Sequence, residues 1–221
     1  MPNKCKICRL VNFPTVTECA RCGNSLVHIA YATPMAKKQN GIVRTIVRRF
    51  LILLAVSVMI LAGFYVSLVV SARSVSYQDR KTVEGAIEVL RERGFNDEVF
   101  LLEHIAIYRS SDNWLNATVA KENAYAATNF PFEILTLYPD FFAYPVDDTE
   151  RAAILLHEAK HLAGKDEHFA YEYVWRNRRK LGWTADNYDT SPVWQGVRKQ
   201  TQDAVPELFA CGNVDEGDCT K

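Results

Sequence analysis

The pattern of apolar and polar positions breaks most sharply at Phe50–Val70, an unbroken run without a single charge. At the rise of an α-helix this run spans about 30 Å, the thickness of a bilayer core. It is apolar on every side, which argues against a helix packed in a soluble core. It begins too far from Met1, and is too long, for an ordinary cleaved signal. Residues 50–70 are therefore expected to form one transmembrane helix.

The chain after Val70 mixes periods. Val83, Ile87 and Leu90 repeat at helical spacing, with Asp79 or Thr82 as the expected N-cap, the helix running through Arg93 and Gly94 as its stop. Val99 to Tyr108 has both helix and strand character. Glu133-Ile134-Leu135-Thr136-Leu137-Tyr138, between Pro131 and Pro139, predicts a strand, and Asp140 to Pro145 an aromatic loop. Asp147, Asp148 or Thr149 is placed to cap a helix containing the apolar run Ala152–Leu156, with acids on its first turn where the dipole favours them. Gly164 permits a sharp turn, after which a second helix can start near Asp166 and stop at Gly182-Trp183. Trp183, Trp194 and Val197 are expected in the core. Lys160, Lys165 and the cluster Arg176, Arg178, Arg179 and Lys180 are expected in solvent. These elements predict an α+β domain over residues 71–221, about 150 residues and enough for one core.

Charge changes this picture. The chain is neutral overall, but through Arg49 it carries nine basic residues against one acid, Glu18, a net of +8 balanced by −8 in the remainder. Residues 27–49, with Thr33-Pro34 and Lys37-Lys38-Gln39-Asn40-Gly41, read as a basic linker. Flanking Lys and Arg favour the N-side of the apolar run, which predicts a signal-anchor with its N-terminus in the cytosol and the C-terminal domain periplasmic or extracellular. Cysteine usage agrees: Cys5, Cys8, Cys19 and Cys22 lie on the cytosolic side, while Cys211 and Cys219 could close a disulfide on the oxidising side. Asn116-Ala117-Thr118 is a glycosylation sequon, relevant only in a eukaryotic secretory pathway.

Two stretches carry metal chemistry. Cys5-x-x-Cys8 and Cys19-x-x-Cys22-Gly23 supply four thiolates for a tetrahedral structural zinc, and a segment this short would draw most of its folding energy from that ion. The second stretch is His157-Glu158-Ala159-Lys160-His161. On a helix the two histidines share a face one turn apart and can reach one metal, while Glu158 sits beside them as a general base. A third ligand is needed. Glu167, His168 and Glu172 are the nearby candidates. Glu167 shares a face with Ala170, Tyr171 and Val174 that can turn inward, whereas His168 lies about 100° around the helix. Tyr144, Tyr171, Tyr173 and Tyr188 are candidate oxyanion donors, each more simply read as structural.

The pattern Cys5-x2-Cys8-x3-Asn12-x6-Cys19-x2-Cys22 resembles the zinc finger first described in a Ran-binding nucleoporin, over the ribbon alone. That resemblance implies binding to single-stranded RNA or ubiquitin, or a plain protein module. Asn3-Lys4 stand where an aromatic precedes the first Cys, and Arg9-Leu10 replace the Thr-Phe of ubiquitin binders. Lys4, Lys6, Arg9, Arg21 and Phe13 would suit RNA, but any small solvated ribbon shows as much, so a structural or protein-docking ribbon is expected rather than nucleic-acid binding.

His157-Glu158-x-x-His161-x-x-Gly164-x-x-Glu167 resembles the metzincin signature with Glu in place of the last His, and Glu167-x-x-Ala170 resembles the ligand helix of gluzincins. The resemblance is confined to the histidine helix, the helix after it and the strand before it. It implies a zincin-like metallopeptidase domain with zinc on His157, His161 and Glu167, Glu172 and His168 being alternatives, and Glu158 as catalytic base. It also implies that a strand within Phe132–Tyr138 is the edge strand that pairs with an extended peptide. The expected whole is a ribbon (1–26), linker (27–49), transmembrane helix (50–70) and peptidase (71–221), with one structural and one catalytic Zn2+ and a protein partner for the ribbon. The rival expectation is a non-catalytic membrane adaptor whose outer zinc is purely structural.

Overall fold

A computed structural model describes residues 3–26, 40–117, 124–211 and 218–220. Most of the linker and Thr118 of the sequon lie outside these residues. The chain divides into two compact units, Met1–Val56 and Ser57–Lys221.

The first unit holds a two-stranded antiparallel ribbon, β1 (Asn3–Lys4) and β2 (Val11–Asn12), with Asn3 opposite Asn12. Cys5, Cys19 and Leu26 form its small core. Each Cys-x-x-Cys closes with a left-handed residue, Arg9 after the first and Gly23 after the second. Their amides donate to the carbonyls of Cys5 and Cys19, both at 2.9 Å, so the two knuckles repeat one geometry.

Helix α1 runs Asn40–Ser71. It starts well before the uncharged run, so residues 40–49 of the expected linker are helical instead. Thr45 bonds back to the carbonyl of Gly41 within it. The helix is long and apolar enough to cross a membrane.

The second unit is a mixed helix-and-sheet domain. α2 (Tyr77–Glu92) is capped by Ser76, whose hydroxyl accepts from the Asp79 amide at 3.1 Å. The expected caps Asp79 and Thr82 lie inside this helix; Ser76 takes the position because its backbone is extended while theirs is helical. α3 (Asn96–Phe100) runs into a π-turn at Leu101–Ile105 and then β3 (Ile107–Arg109), the mixed character expected of that stretch. β4 (Ala126–Asn129), β5 (Ile134–Leu137), α4 (Pro139–Ala143), α5 (Asp148–Leu162), α6 (Glu167–Leu181), α7 (Ala185–Tyr188), α8 (Pro192–Ala204) and a 3₁₀ turn at Pro206–Phe209 follow. The aromatic segment after Tyr138 is thus a short helix, not a loop; Pro139 starts it and Phe141 anchors it in the core.

The sheet order is β3-β5-β4, with β3 parallel and β4 antiparallel to β5. All four residues of β5 are buried. The predicted strand therefore exists, but it is central, and β4 is an edge among the described strands. A strand buried on both faces needs no apolar-polar alternation, which Ile134–Leu137 lacks.

The core joins α2, α5, α6 and α8 to this sheet. Gly85 lets α2 approach closely: a Cβ there would meet Asp148 Oδ2 at 2.7 Å. Trp175, Trp183 and Trp194 cluster, with ring centroids 4.8–6.4 Å apart. Of the basic residues expected in solvent, Arg178 is buried and Lys160 is half-buried. Lys160 pairs with Glu98 and lies 3.6 Å over the Tyr173 ring. Arg178 pairs with Asp218 at 2.5 Å. Cys211 and Cys219 form the disulfide, and the Cys219 amide donates to the Leu208 carbonyl at 2.7 Å.

Candidate metal centre

Helix α5 is built to hold its histidines still. Asp147 caps it, accepting from the amides of Thr149 and Glu150 at 2.9 and 3.1 Å. Glu150 is fully buried, receiving the Val146 amide and the Trp183 indole N–H. Ala152 to Leu156 are buried, so the helix is fixed on most of its circumference. One face stays open, and it carries His157 and His161.

Their Nε2 atoms lie 3.0 Å apart. Glu167, the first residue of α6, meets both: Oε2 is 3.2 Å from His157 Nε2 and Oε1 is 3.4 Å from His161 Nε2. The turn between the two helices sets this placement. Gly164 adopts φ +72°, and Asp166 caps α6 through the Phe169 amide at 2.9 Å. Ala170 is fully buried one turn beyond Glu167. His157, His161 and Glu167 offer three ligand atoms within 4.8 Å of one another and could hold a metal ion.

The donor set fits such an ion on a further ground. His161 Nδ1 donates to the Lys165 carbonyl at 2.9 Å, so Nε2 is the nitrogen that faces the other two donors and can take either a proton or a metal. Burial alone would lower the pKa of His161. The hydrogen bond to Glu167, the Lys165 carbonyl and the Glu158 charge outweigh it and raise the pKa to about 9. Hydrogen bonds from His157 and His161 hold the Glu167 carboxyl far below its ordinary range. Without a metal, a proton on His161 ties it to Glu167; a bound cation would displace that proton.

Glu158 is buried and is not part of the triad. Thr128 on β4 donates to its Oε2 at 2.8 Å. Glu158 lines an open cavity of about 630 Å³ together with His157, His161, Glu167, Tyr171 and Phe130. The edge strand β4 forms one wall, through Ala126, Ala127 and Thr128. Of the four tyrosines considered as oxyanion donors, Tyr171 lines the cavity, its ring 4.4 Å from that of His157. Tyr173 bonds Glu98, Tyr188 bonds Asp147, and Tyr144 packs against Tyr125. The other ligand candidates are used elsewhere. His168 Nε2 meets Glu207 at 3.1 Å, and Glu172 pairs with Arg176 at 2.8 Å.

Sequence reasoning missed Thr128. Its segment, Ala126-Ala127-Thr128-Asn129, is a strand through its pairing with β5 and carries little local strand signal beyond Thr128 itself.

The ribbon holds the second cluster. Cys5, Cys8, Cys19 and Cys22 offer four sulfurs within 4.8 Å of one another and could also hold a metal ion. Backbone amides aim at them: those of Cys8 and Ile7 lower the pKa of Cys5, and that of Arg21 foremost holds Cys19 down at about 6. Asn12 is buried behind the cluster, its Nδ2 3.6 Å from Cys19 Sγ and its Oδ1 accepting the Ala20 amide at 3.1 Å. Phe13 projects into solvent.

No family model, curated protein or solved structure matches the chain.

Proposed function

We propose that the chain is a membrane-anchored zinc metallopeptidase, hydrolysing peptide bonds at the cleft between α5, α6 and β4. The observation that carries this reading is the convergence of His157, His161 and Glu167 on one point, with the buried carboxylate of Glu158 beside them in an open cavity. Two imidazoles and a carboxylate suit zinc, and three protein donors leave a position for water or substrate. When bound, the ion would polarise a carbonyl and acidify water.

The protein's own groups have separable roles. Glu158 takes the proton of the attacking water and returns it to the departing amine. Thr128 holds one of its oxygens, so the other is presented in a fixed direction. β4 is an edge strand whose outer side can pair with an extended peptide by main-chain hydrogen bonds. Tyr171 packs on His157 and fixes its ring plane.

The anchor is α1, with the flanking basic residues on its N-side supporting a cytosolic ribbon and an exported catalytic domain. The ribbon's four-sulfur site suits structural zinc, with a protein as its partner. The rival adaptor reading calls for a closed four-ligand site. The engagement of His168 with Glu207, away from the triad, favours the open one.

Metal analysis of the purified full chain tests this. Two zinc ions per chain are expected, one of them lost in His157→Ala. Glu158→Gln should retain both and lose hydrolysis of a peptide mixture by about 10²–10⁴-fold. Unchanged zinc in His157→Ala, or unchanged turnover in Glu158→Gln, would refute the assignment.

A further inference from the structure

The outer end of the apolar helix and the wall of the metal cleft are parts of one surface. From Gly41 to Gly63 every residue of α1 is exposed. Its last two turns are covered on one side, at Phe64, Tyr65, Leu68 and Val69. Leu68 is fully buried. Phe64 packs against Trp114 and Phe132, ring centroids 5.6 Å in both cases. Trp114 Nε1 donates to Ser67 Oγ at 3.2 Å, and Arg109 Nε to the Val69 carbonyl at 3.0 Å.

Length then sets the level of this contact. Phe50–Gly63, the uncharged part in which every residue is exposed, covers only about 21 Å of a bilayer core of about 30 Å. The remainder, about 9 Å, corresponds to Phe64–Val70, the turns that carry Trp114 and Phe132. A helix that spans the bilayer therefore draws these rings to the boundary of headgroups and acyl chains. The side chains around them suit that level: Trp114, Leu115 and Phe130 are all exposed, and indole rings favour this interface. The turn is a fixed one, because Asn113 is buried and its Oδ1 accepts the amides of Leu115 and Asn116 at 3.0 and 3.1 Å.

The same two segments reach the cleft. Asn116 follows Trp114-Leu115 and Phe130 precedes Pro131-Phe132, and both Asn116 and Phe130 line the cavity. A Cβ on Gly164, in the turn that positions Glu167, would meet the Phe130 ring at 3.5 Å.

We propose that Trp114, Leu115, Phe130 and the outer turns of α1 form a bilayer-seating surface that holds the mouth of the metal cleft at the level of the lipid headgroups. The inference rests on the membrane-anchored reading above and deepens it. The substrates it implies are polypeptide segments lying at the membrane surface, such as those adjoining a membrane anchor, in preference to freely diffusing peptides.

The test uses the full chain in phosphatidylcholine vesicles carrying a doxyl quencher at acyl carbon 5 or 16. Trp114 is 49% exposed while Trp175, Trp183 and Trp194 are 5% or less, so lipid quenching of the wild-type protein reads Trp114. The 5-doxyl lipid should quench a minor part of the emission, more than the 16-doxyl lipid does, and Trp114→Phe should abolish the effect. No quenching in a chain that withstands alkaline extraction overturns the seating surface and leaves the anchor standing. Release of the chain by alkaline extraction overturns the anchor and this proposal together. Equal quenching in Trp114→Phe, or a Trp114→Cys chain that cross-links to a second copy in place of contacting lipid, also overturns it.

Discussion

Thr128 on the edge strand donates its hydroxyl proton to Glu158 Oε2 at 2.8 Å, and the same hydroxyl lies 3.4 Å from the Glu158 carbonyl. One residue thus ties the strand proposed to receive the substrate to the carboxylate proposed to move its proton. Thr128→Val keeps the shape and removes the donor. Its expected effect is a fall in kcat of about tenfold, about 1.4 kcal/mol, as Glu158 loses its orientation. KM and zinc content should stay near wild type, and Thr128→Ser should restore kcat. Steady-state kinetics on a peptide the wild type cleaves separates this from a packing defect, which the serine variant would not repair.

Glu167 and its neighbour His168 lie one position apart and do different things. Glu167 faces the two histidines, whereas His168 turns outward to Glu207. Glu167→Ala should weaken zinc binding at the α5 site by about 10²-fold or more, since an open three-ligand site then keeps only two protein donors. His168→Ala and Glu172→Ala should each leave zinc affinity within about twofold, because both pair at the surface, where such contacts contribute little. Competition with a chromophoric chelator measures all three. A large loss in His168→Ala with none in Glu167→Ala would reverse the ligand assignment.

What could be read from the chain alone follows the range of each interaction. His157, Glu158 and His161 are set by one helical turn, and Glu167 by a local turn with its own signals in Gly164 and Asp166. The cluster of four cysteines is likewise local. Thr128 was not legible, because it reaches Glu158 only through the pairing of β4 with β5, 30 residues away in sequence. The central position of β5 did leave a trace, since Ile134-Leu135-Thr136-Leu137 does not alternate and is buried throughout. Lys160 and Arg178 look like solvated helix charges by spacing. Their partners Glu98 and Asp218 lie 62 and 40 residues away, and only the folded core brings them together.

Lys160 sits next to His161, yet its ammonium points the other way, to Glu98 and over the Tyr173 ring. Burial would raise the Glu98 carboxyl, but the hydrogen bonds of Lys160 and Tyr173 outweigh it and lower its pKa. Removing one partner strands the other charge. Lys160→Met should therefore cost about 3 kcal/mol of stability, and the double variant with Glu98→Gln should recover much of it. Denaturant unfolding of the full chain in detergent measures both. Additive losses would show that the two residues are not coupled.

Asp218 is fastened to α6, accepting from Arg178 at 2.5 Å and from the Trp175 indole at 3.2 Å. Burial pushes its carboxyl up, but hydrogen bonds from Thr220, the Arg178 charge and the indole N–H prevail and lower its pKa. The folded value lies below the unfolded one, so the unfolded chain binds more protons as pH falls. The stabilisation from this group is complete above the ordinary aspartate range and is lost as pH falls from about 4 toward the folded value. Asp218→Asn should remove that part of the acid sensitivity and cost about 3 kcal/mol near neutrality, because it leaves the buried Arg178 charge without its counter-charge. Thermal unfolding from pH 7 to pH 3 should give melting curves that converge for wild type and Asp218→Asn at the acid end. Parallel curves with a constant offset would mean that the carboxylate's charge contributes nothing and that Asp218 acts by packing alone.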